Sequence, residues 1–285
     1  MIIDIHTHIF PDKIAADVLK KLSAMSKTVP FTDGTAGGLV NSSQKSEIDL
    51  SIILPVATNS SQVQKINDSS ALINEKFFGK LHSFGGIYPD FSNYRSELSR
   101  IKNLGLKGIK IHPVYQDTNL NDLKFLRILE RAAELDLIVV THTGLDIGFP
   151  KVVRCSPQMA RQAVKEIGNF KFVLAHMGGW KNWDEAAENL ADTKVFLDTS
   201  FSTGKIKPLA GTFWQKKDLE LMNEEKFLKM FSIFGADRII FGSDSPWSSQ
   251  RESLDFIKNL PIDESDKKKI LGLNAASLLN LNAFQ

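Results

Sequence analysis

Eight short apolar runs, most of them rich in β-branched residues, constrain the fold of this chain more than any other feature. They cover residues 2–6, 48–56, 83–88, 108–112, 137–142, 172–176, 195–199 and 239–244. Near-continuous apolar character over four to eight residues predicts strands buried on both faces, as in parallel sheets. Between most of them lie amphipathic stretches. Residues 121–135 repeat Leu and Phe at three- and four-residue steps, as a helix face does, and 92–104, 157–167 and 248–260 read alike. Pro157 and Ser248 suit helix starts, and Gly105 and Gly168 suit helix ends. Strand alternating with helix implies right-handed βαβ units. Eight such units predict a closed (β/α)8 barrel, with an open doubly wound sheet as the alternative, and 285 residues suit one barrel domain over 1–285. Residues 263–282 read as two short terminal helices that close it.

Two segments break the rhythm. Residues 26–47 are rich in Gly, Ser and Thr, and residues 201–216 carry Gly204, Pro208 and Gly211. Both follow strands at the end where a barrel builds its active site, so they read either as lids or as ordinary surface excursions.

Composition excludes several function classes. A net charge of +2 predicts neither nucleic-acid nor membrane binding, and Lys267-Lys268-Lys269 reads as a solvated helix face. The one cysteine, Cys155, cannot form an intrachain disulfide and fits a reducing compartment; no base is evident to make it a nucleophile. No apolar run approaches transmembrane length, and residues 1–10 lack the basic start and long apolar core of a signal peptide. The expectation is a cytoplasmic protein acting on a small molecule.

The chemistry sits at the strand ends. The chain opens Asp4-Ile5-His6-Thr7-His8, and alternation on a strand points His6 and His8 the same way, about 7 Å apart along it. Two neutral imidazoles so placed can share one divalent ion. Single histidines recur where later strands end: His112 after the fourth, His142 after the fifth and His176 after the sixth, while the eighth ends in Gly-Ser-Asp244-Ser-Pro-Trp247. In a parallel barrel these ends meet at one mouth. His82 precedes the third strand, at the opposite end, and reads as structural. Asp4 reads as a hydrogen-bonding residue of the barrel floor, on the face of His6.

The motifs Asp-Ile-His-Thr-His, Gly-Ile-Lys-Ile-His-Pro, Thr-His-Thr-Gly, Ala-His-Met-Gly-Gly and Gly-Ser-Asp-Ser-Pro-Trp, in that order, resemble the amidohydrolase superfamily. The nearer likeness is to its amidohydrolase-related TIM-barrel branch, which includes α-amino-β-carboxymuconate-ε-semialdehyde decarboxylase. The resemblance implies that His6, His8, His142 and Asp244 bind a metal. It also implies that Asp244 can take a proton from bound water and that His176 is an acid/base. Three imidazoles and one carboxylate suit one zinc ion, with manganese the second candidate. In two-metal members a lysine on the fourth strand is carboxylated; Lys110 is the candidate here, although it lies two residues before the strand end. Barrels of this branch are often dimers, which implies a homodimer.

Substrate contacts are less legible. His112 reads as a substrate contact or a support of the ligand shell, or as structural. Arg154 can pair with a substrate carboxylate or lie solvated in its loop. Trp180 and Trp247 can line a pocket or pack under loops. Asp198 can orient a ligand histidine or cap a helix. The leading expectation is a metal-dependent hydrolase acting on an amide, ester or lactone. The alternative is a metal-dependent, non-oxidative decarboxylase of an unsaturated or aromatic acid, and the third reading is a non-catalytic barrel. Few arginines near strand ends favour the hydrolase, and some related lactonases work without metal.

Overall fold

A computed structural model describes residues 1–281; residue 282, the end of the predicted terminal helices, and residues 283–285 lie outside the described part. The strands are β1 Ile3–Thr7, β2 Leu50–Ile53, β3 Leu81–Ser83, β4 Gly85–Gly86, β5 Gly108–Ile111, β6 Ile138–Thr141, β7 Phe172–Leu174, β8 Phe196–Asp198 and β9 Ile239–Ile240. Every pairing is parallel and between neighbours in sequence, in two arcs, β1-β2-β3 and β4 to β9. The predicted third strand is split at Phe84 into β3 and β4, yet Phe84 N–H still bonds the Ile53 carbonyl at 2.9 Å. First and last strands are joined by Ile5 N–H to Phe241 O at 3.0 Å and His8 N–H to Ser245 O at 2.7 Å. The fold is a (β/α)8 TIM barrel.

Outside the strands run α1 Asp12–Ser26, α2 Ala36–Lys45, α3 Val63–Lys76, α4 Tyr94–Asn103, α5 Leu123–Glu134, α6 Pro157–Ile167, α7 Trp183–Leu190, α8 Glu224–Phe234 and α9 Gln250–Lys258. The helix signals act as the sequence suggests. Pro157 opens α6 behind a Ser156 cap, and Gly168 ends it at φ 86°. Helix α9 starts one residue later than Ser248 implies, with Ser249 as its cap. The terminal segment is one continuous run, α10 Glu264–Lys268, a π-helical turn Lys269–Leu273 and α11 Asn274–Leu278, rather than two separate helices. Ala275, Ala276, Leu278 and Leu279 pack with Ile3, Ile5, Val140, Val173 and Ile240, so α11 plugs the strand-start end.

The loop expected over 26–47 is helical over about half its length, in α2. Helix α2 forms despite Gly37 and Gly38 because Thr35 Oγ1 accepts the Gly38 N–H at 2.9 Å and Leu39 is buried against Ile53 and Leu81. Tertiary burial outweighs poor propensity there. The irregular remainder joins the other break. Val29 N–H bonds Lys207 O at 2.7 Å, Leu209 N–H bonds Lys27 O at 2.9 Å, and Trp214 Nε1–H bonds Ser26 O at 2.7 Å. The two segments form one paired cover. Among the described residues no helix is long and apolar enough to cross a membrane.

Candidate active site

A β-bulge aims the first ligand-type residue. The β1–β2 register slips by one residue between Asp4 and Thr7, so strict alternation fails there. Asp4 therefore does not share the His6 face in the barrel floor, as expected; it is turned to the helix side. There its carboxylate accepts from Ser243 N–H at 2.9 Å, Ser243 Oγ at 2.6 Å and Gln250 Nε2 of α9 at 2.8 Å. Burial pushes Asp4 up to about 6 against these bonds.

Hydrogen-bond partners fix the tautomers around His6. His8 Nδ1 lies 2.9 Å from the Leu54 carbonyl, which only accepts, so Nδ1 carries the proton and Nε2 is bare. His6 Nδ1 donates to Asp198 Oδ2 at 2.8 Å, leaving its Nε2 bare too. The two bare nitrogens face each other at 3.2 Å, and Asp244 Oδ1 lies 3.4 Å from His6 Nε2 and 3.1 Å from His8 Nε2. Three acceptor atoms meeting in a buried space need a positive charge among them. One is present: Lys110 Nζ, almost fully buried, reaches His6 Nε2 at 3.1 Å, so it is not too deep for the site. The donor set and its spacing also fit a divalent ion with ligand distances of about 2.1 Å.

His176 and His142 form the next step. His176 Nδ1 lies 3.0 Å from the Ser200 carbonyl and therefore bears the proton; its bare Nε2 accepts from His142 Nδ1 at 3.0 Å. His142 Nε2 is then a buried lone pair with no hydrogen-bond partner. His142 stands outside the His6–His8–Asp244 trio. Both His176 (φ 62°) and Asp244 (φ 69°) adopt left-handed backbone, uncommon for side-chain-bearing residues and characteristic of functional sites. His176 N–H to Asp198 Oδ1 at 3.0 Å and Asp244 N–H to His6 O at 2.8 Å hold them there.

Asp198 is the anchor of this arrangement. Burial alone would raise its carboxyl, but the His6 ring and its hydrogen bond, His176 and the short bond from Ser200 Oγ together hold it well below the usual carboxylate range. Asp244 is likewise held low, its burial outweighed by His8, His6 and His176. Burial, aided by Lys110, lowers His6 to about 3, and burial lowers His112, His142 and His176 as well. Lys110 is brought down to about 8 by burial, against the pull of Asp198 and Asp244. Burial pushes the Cys155 thiol up to about 12, which leaves it no nucleophile at neutral pH.

The remaining candidates divide. His112 stacks on His142 (4.2 Å between centroids, 16°) and on Tyr115 (4.0 Å, 10°), making a three-ring stack beside the site with His112 in the middle. Arg154 is bound to Asp117 and Asn119, and among the described residues no arginine bonds the histidine cluster. Trp180 packs against Phe201 at 5.3 Å, and Trp247 packs half-buried on the core. His82, partly buried near Phe84, lies among the strand starts.

Three residues escaped the sequence reading. Ser200 Oγ lies 2.9 Å from His6 Nδ1 and 3.0 Å from His176 Nδ1, linking the two rings. Its only signal is its place two residues after Asp198. Tyr115 caps the ring stack on His112. Asp146, four residues after His142, turns Oδ2 toward His112 Nε2 at 3.5 Å and His142 Nε2 at 4.0 Å. Burial, helped by the Asp244 charge, holds Asp146 up at about 6.

Comparison with known proteins agrees with this architecture. The amidohydrolase family profile matches residues 85–281, most of the chain. No curated protein matches it. Among solved structures, an uncharacterised TIM-barrel protein from Bordetella bronchiseptica superposes with a TM-score of 0.72 at 17% identity, over 98% of each chain. The 5-carboxyvanillate decarboxylase of Sphingomonas paucimobilis gives 0.68 at 16% identity, over 99% of each chain. A dihydroxybenzoic acid decarboxylase from Polaromonas, solved with manganese and the inhibitor 2-nitroresorcinol, gives 0.68 at 16% identity, over 99% of this chain and 97% of its own. These likenesses establish a shared fold.

Proposed function

The chain belongs to the amidohydrolase family, and from that premise we propose that it is a metal-dependent, non-oxidative decarboxylase of a planar aromatic or unsaturated carboxylic acid. The observation that carries the reading is the meeting of the bare His6 and His8 nitrogens with Asp244 Oδ1 in a buried mouth beside His176. His6, His8 and Asp244 hold the ion, manganese or zinc, and three protein donors leave coordination positions free, as catalytic sites do. His142 is the fourth candidate donor through its unpartnered Nε2. The ion supplies Lewis acidity to substrate oxygens.

This chain's residues do the rest. Lys110 is the buried cation within reach of a carboxylate. A substrate's negative charge raises the proton affinity of His176 Nε2, which takes up one proton from solvent as the acid binds. His176 then gives that proton to the ring carbon bearing the carboxylate. The carbon–carbon bond breaks, carbon dioxide leaves, its bonding pair returns to the ring, and His176 is left neutral. Asp198 holds the His176 backbone N–H, and the Ser200 carbonyl and Oγ hold its Nδ1, which keeps the imidazole oriented throughout. The decarboxylase activity of two fold neighbours supports this choice over hydrolysis.

Hydrolysis of a carbonyl substrate is the second reading, favoured by the engagement of Arg154 with Asp117, away from the histidines. One screen separates the two. Manganese- or zinc-loaded protein is assayed for carbon dioxide release from benzoates and unsaturated acids, and in parallel for ester, lactone and amide cleavage. Decarboxylation that His176→Ala abolishes with metal content unchanged is the expected result. Hydrolysis with no carbon dioxide release from any acid would reverse the assignment.

A further inference from the structure

The two halves of the cover meet over the metal trio. Around the barrel, β9 lies between β8 and β1: Leu197 and Asp198 pair with Ile239 and Ile240, and Ile5 and His8 bond the chain after β9. One half of the cover, residues 26–31, lies in the connection after β1, and the other, residues 207–214, in the connection after β8. Their seam therefore crosses the end of β9, which carries Asp244. Phe31 N–H bonds the Pro246 carbonyl there at 2.7 Å, two residues past Asp244. Beneath the seam the site is shut in: Asp244 is 7% exposed, His176 3% and His6 1%. An organic substrate must touch several of these groups at once, so the cover has to part before one can enter.

The halves are not held alike. Residues 26–31 continue from α1 and are tied to Pro246. Residues 207–214 are rooted at both ends. Gly204 lies so close to α9 that a Cβ would sit 2.3 Å from Ser253 Oγ, and Ile206 is buried in the core. Past the segment, Met222 N–H bonds Ser202 O at 2.9 Å and closes the neck of the loop. Between these roots, three hydrogen bonds among the described residues hold the segment to the opposite half. They are Val29 N–H to Lys207 O, Leu209 N–H to Lys27 O and Trp214 Nε1–H to Ser26 O. So short a two-stranded ribbon is marginal by itself, and the seam parts at lower cost than the roots.

We propose that residues 207–214 are the substrate gate: they part from 27–29 along this seam, admit the substrate to Asp244, His6 and His8, and pair again behind it. Closure then keeps water from the reacting groups. The gate serves decarboxylation and hydrolysis alike, so it stands apart from the choice between them.

Thr28 and Pro208 supply a lock. Their neighbours make the backbone bonds, so these two form a non-hydrogen-bonded antiparallel pair, with Cα atoms about 4.5 Å apart, inside the range a disulfide spans. Cys155 is buried and does not compete. The full chain carrying Thr28→Cys and Pro208→Cys is freed of metal and treated with diethyl pyrocarbonate, once oxidised and once reduced. Peptide mass spectrometry follows modification of His8 and His176, with His82 among the strand starts as the internal reference. The cross-link should slow both site histidines about tenfold or more relative to His82. Equal rates in the oxidised and reduced protein would overturn the gate. Val29→Pro, shown to be folded by circular dichroism, acts in the opposite sense without a cross-link. It removes the bond to Lys207, so modification of the site histidines should quicken about fivefold. A rate equal to that of wild type would count equally against the proposal. Neither readout needs substrate or metal, so a failed gate leaves the decarboxylase reading intact, and a failed decarboxylase reading leaves the gate.

Discussion

At the scale of single residues, the site is organised by what each histidine's second nitrogen touches. His6 and His8 present bare Nε2 atoms because Asp198 and the Leu54 carbonyl hold their Nδ1 protons. Asp198→Asn weakens that hold and removes the charge that favours it, so metal affinity should fall about 10–100-fold with the fold intact, measured by competition with a metal-sensitive chelator. An unchanged affinity would mean that His6 orients itself without the carboxylate. The ligand-type residues were legible because histidine and aspartate at strand ends are rare by chance. Asp146 and Ser200 were not, because nothing in one sequence separates a loop aspartate or serine that faces a cavity from one that faces water. Asp4 was misplaced for a physical reason: a one-residue bulge in β1 cancels the alternation on which its assignment relied.

At the scale of elements, periodicity worked where burial and propensity agree. Helices α5 and α6 carry apolar residues at helical spacing with good helix formers between them, and both form where expected. Helix α2 has Gly, Gly, Ser and Ser within ten residues, and only its cap and its buried Leu39 make it a helix. Thr35→Ala should therefore cost about 1 kcal/mol of stability in urea unfolding, since the helix has little intrinsic propensity in reserve. The pairing of 27–29 with 207–209 was invisible because strand-like contacts between two irregular loops leave no periodic trace. Trp214→Phe removes the Nε1–H bond to Ser26 and should speed hydrogen exchange at Val29 and Leu209. Unaltered exchange would show that the cover is held by its backbone bonds alone.

At the scale of the whole molecule, parallel pairing and a plugged strand-start end leave the mouth as the one place where all the strand ends meet. The barrel and its closure could be read from the strand–helix alternation, but not that the closing bonds of Ile5 and His8 fall on Phe241 and Ser245, beyond a β9 of only two residues. Its acid sensitivity follows from buried imidazoles. Burial, with Lys107 nearby, lowers His82 from 6.5 to about 4. The unfolded chain takes up that proton first, so this contribution to stability is complete above about pH 6.5 and is lost as pH falls toward 4. His82→Gln should flatten the stability curve across that window, read from urea midpoints between pH 7 and 4. A curve of unchanged slope would remove His82 from the account.

The most direct measurement is metal per chain, by plasma mass spectrometry on protein purified without a histidine tag and reconstituted with manganese or zinc. The account predicts about one ion in wild type and close to none when His6 and His8 are both alanine, with circular dichroism unchanged. Wild type that binds neither ion, or a double variant that binds as wild type does, would contradict it.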